Sequence, residues 1–203
     1  MSPVRLYYMP RTRSSRALWM LEEIGAPYEL TEIAGAERRS ALHRARHPLG
    51  RVPALELEDG TVMFESAAIC LALGDLHPEA GLTAPLGSSE RALIYQWVLF
   101  AMTELEGPLF RWFAELRDGV TETTASQQRF ADAATALQAA LDGRDWVVGG
   151  RLTVADVLCA SILAGADARD LLEPWPGLHA YVKRSKARPA YARAAAIDDR
   201  PRR

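Results

Sequence analysis

The stretch "GRVPALELEDGTVMFES", Gly50–Ser66, decides the fold of the first part of this chain. Apolar and acidic residues alternate along "ALELE", and after Asp59-Gly60 the run "TVMF" returns, which predicts a β-hairpin with a type I′ turn. Pro53 suits a strand's first residue, because proline cannot donate a ladder hydrogen bond. Two interpretations stay open from these residues. Pro53 starts the strand in trans, or a cis bond turns the backbone of Val52 towards a partner outside the chain, although only about 5–6% of X–Pro bonds in folded proteins are cis.

The hairpin is followed by a predicted helix, "SAAICLALGDLH", in which Ile69, Leu73 and Leu76 share one face. Ser66 is a favourable N-cap residue, and capping alone would explain it. A helix N-terminus also offers unpaired N–H groups and partial positive charge to an anion. Two roles are therefore open. Ser66 caps the helix, or it holds the carboxylate of a small zwitterion whose ammonium group meets Glu65.

Composition argues against several classes of protein. The 203 residues carry 24 Lys and Arg against 26 Asp and Glu, a net charge of −2, which argues against nucleic acid as the main partner. No run approaches the roughly 18 apolar residues of a membrane span, and the start lacks a signal-peptide pattern, so we expect a cytoplasmic protein without membrane contact. Cys70 and Cys159 stand alone in helical patterns and predict buried, reduced residues. The histidines lack zinc-ligand spacing, and no metal is expected.

The order of predicted elements divides the chain. "VRLYY", "SSRALWMLEEIG" and "YELTEI" are typical of a strand, a helix and a strand, so the two strands should be parallel. With the hairpin and its flanking helices, residues 1–77 follow the β-α-β-α-β-β-α order of a thioredoxin-like α/β domain. Residues 78–88 contain prolines and glycines without periodicity and predict a linker.

Residues 89–203 predict an all-α C-terminal domain. Gly107-Pro108 should kink or break its first helical run, because proline removes an internal hydrogen bond. Thr153 and Asp156 have the spacing of a capping box, with Asp in place of the usual Glu or Gln. The charged tail, residues 198–203, is expected to lack regular structure.

With these elements in order, the chain resembles the cytosolic glutathione S-transferases over nearly its whole length. The similarity lies in "GRVPAL", "ES", the proline-bearing linker and "GGRLTVAD", which occur in the family's order and spacing. The resemblance implies a cis Pro53, a Val52 backbone that pairs with the cysteinyl part of glutathione, and a γ-glutamyl end held by Glu65 and Ser66. It further implies that Arg51 meets the glycine carboxylate; the alternative is a solvated loop arginine.

The resemblance also implies a group that stabilises the glutathione thiolate in the loop "YYMPRTRSSRAL". In serine-type members a hydroxyl lies four residues before an arginine in the first turn of the helix, and counting back from Arg16 gives Thr12, our first candidate. The cysteine of bacterial cysteine-type members would fall near Arg13, so this chain departs from that pattern. Ser14 is the second candidate, with helix capping as its alternative. Other hydroxyls nearby also remain open: Tyr7, Tyr8 and Ser15.

Arg11, Arg13 and Arg16 cluster where the helix dipole is positive, which is unfavourable by about 0.3–1 kcal/mol for each exposed cation. An anionic ligand among them would explain this placement, and we expect Arg13 to contribute to glutathione binding; plain solvation is the alternative. The electrophile would bind between the two domains, against residues of the loop and of the helical domain: Met9, Phe100, Thr103 and Trp112. Aromatic residues at helical spacing also suit a core.

The resemblance therefore implies a glutathione transferase that directs the thiolate at a small hydrophobic electrophile. Glutathione enters as co-substrate, no other cofactor is expected, and family members are usually homodimers. The alternative is a non-catalytic glutathione-binding or interaction module of the same fold. A thiol-disulfide oxidoreductase is disfavoured, because the loop after the first strand has no cysteine.

Overall fold

The computed structural model describes residues 3–200. The chain forms two compact units, and the first combines residues from both ends of the sequence, 3–81 and 187–200, whereas the second comprises residues 82–186. The domain boundaries drawn from the sequence, 1–77 and 89–203 around a linker at 78–88, stay a prediction. The compact units differ from them in assigning the last helix to the first unit.

The first unit is built on a mixed sheet whose four strands run in the order β2-β1-β3-β4 within the described residues. The strands are β1 (Val4–Tyr8), β2 (Tyr28–Glu32), β3 (Ala54–Glu56) and β4 (Val62–Phe64). β1 pairs parallel with β2 and antiparallel with β3, which pairs antiparallel with β4. The predicted parallel strands and the predicted hairpin are both confirmed.

The hairpin turn differs from the predicted type I′ turn. Only Gly60 has a positive φ, of 84°, and Asp59 does not, so the type I′ prediction is wrong. The N–H of Gly60 donates to Leu57 O at 2.9 Å, and Leu57 N–H donates to Thr61 O at 2.8 Å. These bonds close a three-residue loop, in which a tight turn is followed by a left-handed glycine.

The first unit contains helices α1 (Ser14–Ile24), α2 (Ala41–Arg46), α3 (Ser66–Leu76) and α9 (Pro189–Asp198), with short 3-10 turns at Glu37–Arg39 and Pro78–Ala80. α9 packs along α1: the rings of Trp19 and Tyr191 meet edge to face at 5.1 Å, and Arg188 forms two hydrogen bonds with Glu23. The expectation of a tail without regular structure fails at Asp198, which these contacts keep helical. Residues 201–203 of that tail lie outside the described residues.

The second unit is helical, with α4 (Ser89–Phe100), a π-helical segment (Ala101–Glu106), α5 (Gly107–Arg117), α6 (Ala125–Ala140), α7 (Val154–Asp167) and α8 (Pro176–Lys186). Of the predicted kink or break at Gly107-Pro108, the break does not occur, because the chain stays helical through it. The π-helical turns just before Pro108 change the local hydrogen-bond register, which accommodates a ring that would clash in a regular α-helix.

The predicted capping box at Thr153 and Asp156 is confirmed. The buried Asp156 carboxylate also accepts hydrogen bonds from Val147 N–H and the Tyr181 hydroxyl, both at 2.9 Å. Cys70 and Cys159 are buried, as predicted, and neither forms a disulfide within residues 3–200. Nowhere in residues 3–200 is there a helix with the length and apolarity needed to cross a membrane.

Candidate functional site

The main-chain N–H and C=O of Val52 are the first candidate groups for binding a ligand. The Val52–Pro53 bond is cis, as the resemblance implies. The side chain of Val52 is buried in a cluster with Tyr7, Met9 and Ala54. No hydrogen bond from within residues 3–200 reaches its main-chain N–H or C=O. An extended peptide would therefore find both a donor and an acceptor at Val52.

Two histidines of the first unit hold this loop in place. The Nε2 atom of buried His43 lies 2.8 Å from the main-chain oxygen of Arg51, directly before Val52. His47 is buried too, and its Nδ1 atom accepts from Leu49 N–H at 3.3 Å. Burial lowers the pKa of His47. Sequence reasoning tested these histidines only as metal ligands and missed this role; their spacing of four residues, just ahead of "GRVP", is the signal that could have found it.

Gly50 is required where the chain turns into the loop. Its φ is +59°, and a Cβ atom there would lie 2.4 Å from the main-chain oxygen of Arg38. The close approach leaves room only for a hydrogen atom, since that neighbour is backbone and cannot rotate away. Arg51, which follows, is exposed, so its side chain is accessible to a ligand.

Glu65 and Ser66 lie at the start of α3. Glu65 has a φ of 73° and occupies the N-cap position, so Ser66 is the first helical residue and the N-cap prediction for it is wrong. The physical reason is the left-handed turn at Glu65, which starts the helix one residue earlier than predicted. The N–H groups of the first turn have no partner inside the helix and carry partial positive charge. The exposed Glu65 side chain stands beside them.

Arg16 connects the two sides of the site. It is buried on α1, with 4% of its surface exposed, and its Nη1 atom donates to Ser66 Oγ at 3.3 Å. Arg11 and Arg13 are exposed. The three arginines therefore differ in their access to solvent, and Arg13 stays accessible. Sequence reasoning used Arg16 as a reference for counting and as one of these three arginines, and it missed the bond to Ser66.

The hydroxyls of Thr12 and Ser14 form one network with the main chain of Met9. Thr12 Oγ1 donates to Met9 O at 2.7 Å and lies 2.8 Å from Ser14 Oγ, which accepts from Met9 N–H at 3.3 Å. Ser14 is fully buried and Thr12 half-buried. Because the Thr12 proton is donated to Met9 O, the Ser14 hydroxyl is the donor to Thr12, and Thr12 is the more exposed of the two hydroxyls. The helix-capping alternative for Ser14 is wrong, because Arg13 occupies the N-cap position.

The two tyrosine hydroxyls are bound elsewhere. Tyr7 donates to Glu56 Oε2 at 2.5 Å, and Tyr8 donates to the main-chain oxygen of Ile197 at 3.3 Å. Burial is the main cause that raises the pKa of Tyr8 to about 12. A phenol with so high a pKa, turned towards α9, is poorly placed to stabilise a thiolate.

The residues predicted for the electrophile site fall in different units. Met9 is buried in the first unit. Phe100, Thr103 and Trp112 belong to the second, where the ring of Trp112 packs 5.6 Å from that of the buried Phe130, as the alternative core role implies. Thr103 is exposed and Phe100 half-buried.

Comparisons with known proteins agree with this arrangement. The family model described as "Glutathione S-transferase, N-terminal domain" matches residues 12–76, and "Glutathione S-transferase, C-terminal domain" matches residues 107–184. Glutathione S-transferase GstA of Escherichia coli O157:H7 is 31% identical over 193 residues, which is 92% of this chain and 94% of that protein.

Two solved structures show that the similarity extends to the fold. A glutathione transferase from Methylococcus capsulatus is 29% identical, with a TM-score of 0.83 over 96% of this chain and 98% of that one. A sphingomonad glutathione S-transferase complexed with glutathione is 27% identical, with a TM-score of 0.80 over the same shares. The chain belongs to the glutathione S-transferase family, and the predicted thioredoxin-like domain followed by an all-α domain is confirmed.

Proposed function

We propose that this protein acts as a glutathione transferase in which Val52, Glu65 and Ser66 bind glutathione and Thr12 stabilises its thiolate. The free main-chain edge of Val52 carries the proposal, because the Val52 side chain belongs to the same buried cluster as Met9, whose carbonyl holds the Thr12 hydroxyl. The main-chain anchor at Val52 and the Thr12 hydroxyl are thus connected through one buried cluster. Arg13 and Arg51 are exposed and complement the glycine carboxylate.

The chemistry of Thr12 follows from its network. A free thiol has a pKa near about 8.5 and is mostly protonated at neutral pH. A hydrogen bond to a charged acceptor contributes roughly 1.5–3 kcal/mol, which lowers the thiol pKa by about one to two units. Thr12 must turn its proton from Met9 O to the sulfur, and the Ser14 hydroxyl that it accepts strengthens it as a donor. This assigns the loop to a serine/threonine type.

The second substrate in this proposal is a small hydrophobic electrophile, and the cellular role is its detoxification in the cytoplasm. Sequence placed Met9, Phe100, Thr103 and Trp112 around it, and they remain its proposed contacts. The protein needs no further cofactor. A homodimer is part of the proposal, supported by large apolar side chains left exposed on α4: Leu93 at 46%, Tyr95 at 38% and Leu99 at 63%.

A non-catalytic glutathione-binding module is not favoured. That alternative would suit an intact tripeptide site with no hydroxyl to stabilise the thiolate. Thr12 supplies such a hydroxyl in a half-buried position after β1. Relatives over most of the chain, such as GstA, are named glutathione S-transferases.

The experiment is a thermal melt with and without glutathione, followed by the ultraviolet thiolate absorbance of the same complex against pH. Glutathione at about 100 times its Kd should stabilise the protein by ~2.7 kcal/mol, a shift of several degrees. Thr12→Ala should raise the thiol pKa by about one to two units with little change in Kd. Thr12→Ser keeps the hydroxyl and is the matched control. A melt shift without a thiolate signal would leave the binding module, and no shift at all would refute the proposal.

A further inference from the structure

Asp198, the last residue of α9, contacts the loop that carries Thr12. Its Oδ1 atom accepts from the main-chain N–H of Arg11 at 2.9 Å, and its Oδ2 atom accepts from the Ser15 hydroxyl at 2.9 Å. These two donors flank Thr12 in sequence. One carboxylate from the end of the chain therefore binds the loop on both sides of the candidate thiol-activating residue.

The conformation of the loop from Arg11 to Ser15 explains why the hydrogen bonds to Asp198 are needed. Arg11 has a φ of 55°, a left-handed conformation that costs a residue with a side chain roughly 1–2 kcal/mol. Thr12 O accepts from the N–H of Ser15 at 3.1 Å, and the single hydroxyl proton of Ser15 is shared between Thr12 O and Asp198 Oδ2. A ligand for the Arg11 N–H stabilises the strained residue, and a ligand for Ser15 fixes the turn in which Thr12 sits.

A second contact keeps α9 against the loop. The Tyr8 hydroxyl donates to Ile197 O, one residue before Asp198, and Tyr8 is the last residue of β1. The end of α9 is thus held both where the strand stops and where α1 begins. Asp198 is half-buried, and its hydrogen bond with Ser15 is the less exposed of the two.

We propose that Asp198 is a positioning residue for thiol activation: it holds the Arg11–Ser15 loop in the conformation that presents the Thr12 hydroxyl to the glutathione sulfur. The inference rests on the proposed function, since it acts through Thr12. It assigns to the C-terminal helix a part in the chemistry of the first unit, without direct contact to substrate.

The direction in which the thiol pKa changes distinguishes a positioning role of Asp198 from a purely electrostatic one. A carboxylate near a thiolate disfavours the anion, so removing its charge alone would lower the thiol pKa. Loss of the Thr12 hydrogen bond would raise it. Asp198→Ala should therefore raise the pKa of bound glutathione by about half a unit or more, and by no more than Thr12→Ala does.

The test measures thiolate absorbance against pH, glutathione Kd and melting temperature for four variants. Asp198→Ala should raise the thiol pKa with less than about a threefold change in Kd. Asp198→Asn, which keeps one acceptor oxygen, should give a smaller rise. The double variant Thr12→Ala with Asp198→Ala should match Thr12→Ala alone, because both act on one hydrogen bond. Asp199→Asn is the matched control, since it removes the same charge from an exposed neighbour and should leave the pKa unchanged.

Each outcome of this test either supports or overturns the positioning role of Asp198. A lower melting temperature with an unchanged or lowered thiol pKa in Asp198→Ala would show a merely structural residue and overturn the inference while leaving the proposed function intact. If Asp198→Ala does not fold, Asp198→Asn carries the same test, and Ser15→Ala, which removes the hydroxyl that contacts both Asp198 Oδ2 and Thr12 O, is the second variant. If the wild type shows no melt shift, or Thr12→Ala leaves the thiol pKa unchanged, the proposed function fails and the inference falls with it.

Discussion

The two sides of the candidate site present different kinds of atom to a ligand. On the Val52 side, the groups available to a ligand are main-chain atoms of the loop and the first turn of α3. The loop is held by side chains such as His43, which contacts the main-chain oxygen of Arg51. On the Thr12 side the groups are hydroxyls, each bonded to another member of the same loop. In the proposed function, the first side binds a peptide without rearrangement, whereas Thr12 on the second side must exchange its hydrogen bond to Met9 O for one to the thiolate. Changes on the first side should alter affinity, and changes on the second should alter the thiol pKa.

The largest effect should come from Gly50, which shapes the Val52 side. We expect Gly50→Ala to lower the free energy of unfolding by about 3 kcal/mol, because a left-handed alanine is strained and its Cβ would meet Arg38 O. Urea unfolding and glutathione titration would measure the loss of stability and of affinity. Gly60→Ala is the control: its φ is also positive, but nothing lies within 4 Å, so about 1 kcal/mol is expected. Equal losses for the two variants would refute the clash.

Ser14→Ala should give the next effect, on the opposite side of the site. It leaves the buried Met9 N–H without its acceptor and should cost about 2 kcal/mol of unfolding free energy. The thiol pKa should rise as well, because Thr12 loses the neighbour that orients it. Thr123→Ala removes an exposed hydroxyl and controls for the chemical change. A destabilised variant with an unchanged thiol pKa would separate Ser14 from the chemistry.

Ser66→Ala should weaken glutathione binding by about five- to tenfold, close to one ordinary hydrogen bond. The pKa of the bound thiol should stay constant, since Ser66 lies on the side that binds rather than activates. Calorimetric titration and thiolate absorbance on one preparation would show both results, with Ser66→Thr retaining the hydroxyl. A raised thiol pKa here would contradict the division of roles, and the route would then be Arg16, which contacts Ser66 from α1.

The smallest effect concerns pH. Burial lowers the pKa of His47, so below the ordinary value near about 6.5 the unfolded chain binds more protons than the folded one. Unfolding free energy should therefore fall as pH drops through that range, with a slope of at most one proton. His47→Gln should flatten the slope in denaturant titrations between pH values around neutrality and mild acid. An unchanged slope would assign the acid sensitivity to another group.

The backbone conformation on the Val52 side could be predicted because the residues that determine it are visible in the sequence. Proline, glycine and a helix start stand in fixed order at Gly50–Ser66, and the cis bond that the resemblance implied at Pro53 is confirmed. What failed there was local: the turn type at Asp59-Gly60 and the cap at Ser66, because the sign of φ at a single residue decides each. Conformations of that kind are set by neighbours rather than by residue type.

The Thr12 side could not be predicted to the same depth. Thr12 and Ser14 carry the same chemical group, and only packing shows that one is fully buried and the other half-buried. The contact between Arg11 and Asp198 spans 187 positions, and no local pattern announces it. The charges of the tail predicted an exposed segment without regular structure. One of them, the Asp198 carboxylate, instead accepts hydrogen bonds from the loop that carries Thr12.

The first unit has a further property that follows from its two chain segments. During synthesis, the strands and α1 leave the ribosome long before α9, and the whole helical unit is made in between. Until α9 arrives, Trp19 lacks its edge-to-face partner and Glu23 lacks its arginine. A chain that stopped at Lys186 would keep every residue proposed above to bind glutathione and yet leave the face of α1 that Tyr191 covers open to water. The helical unit can mature first, and the unit that carries the chemistry is the last to be completed.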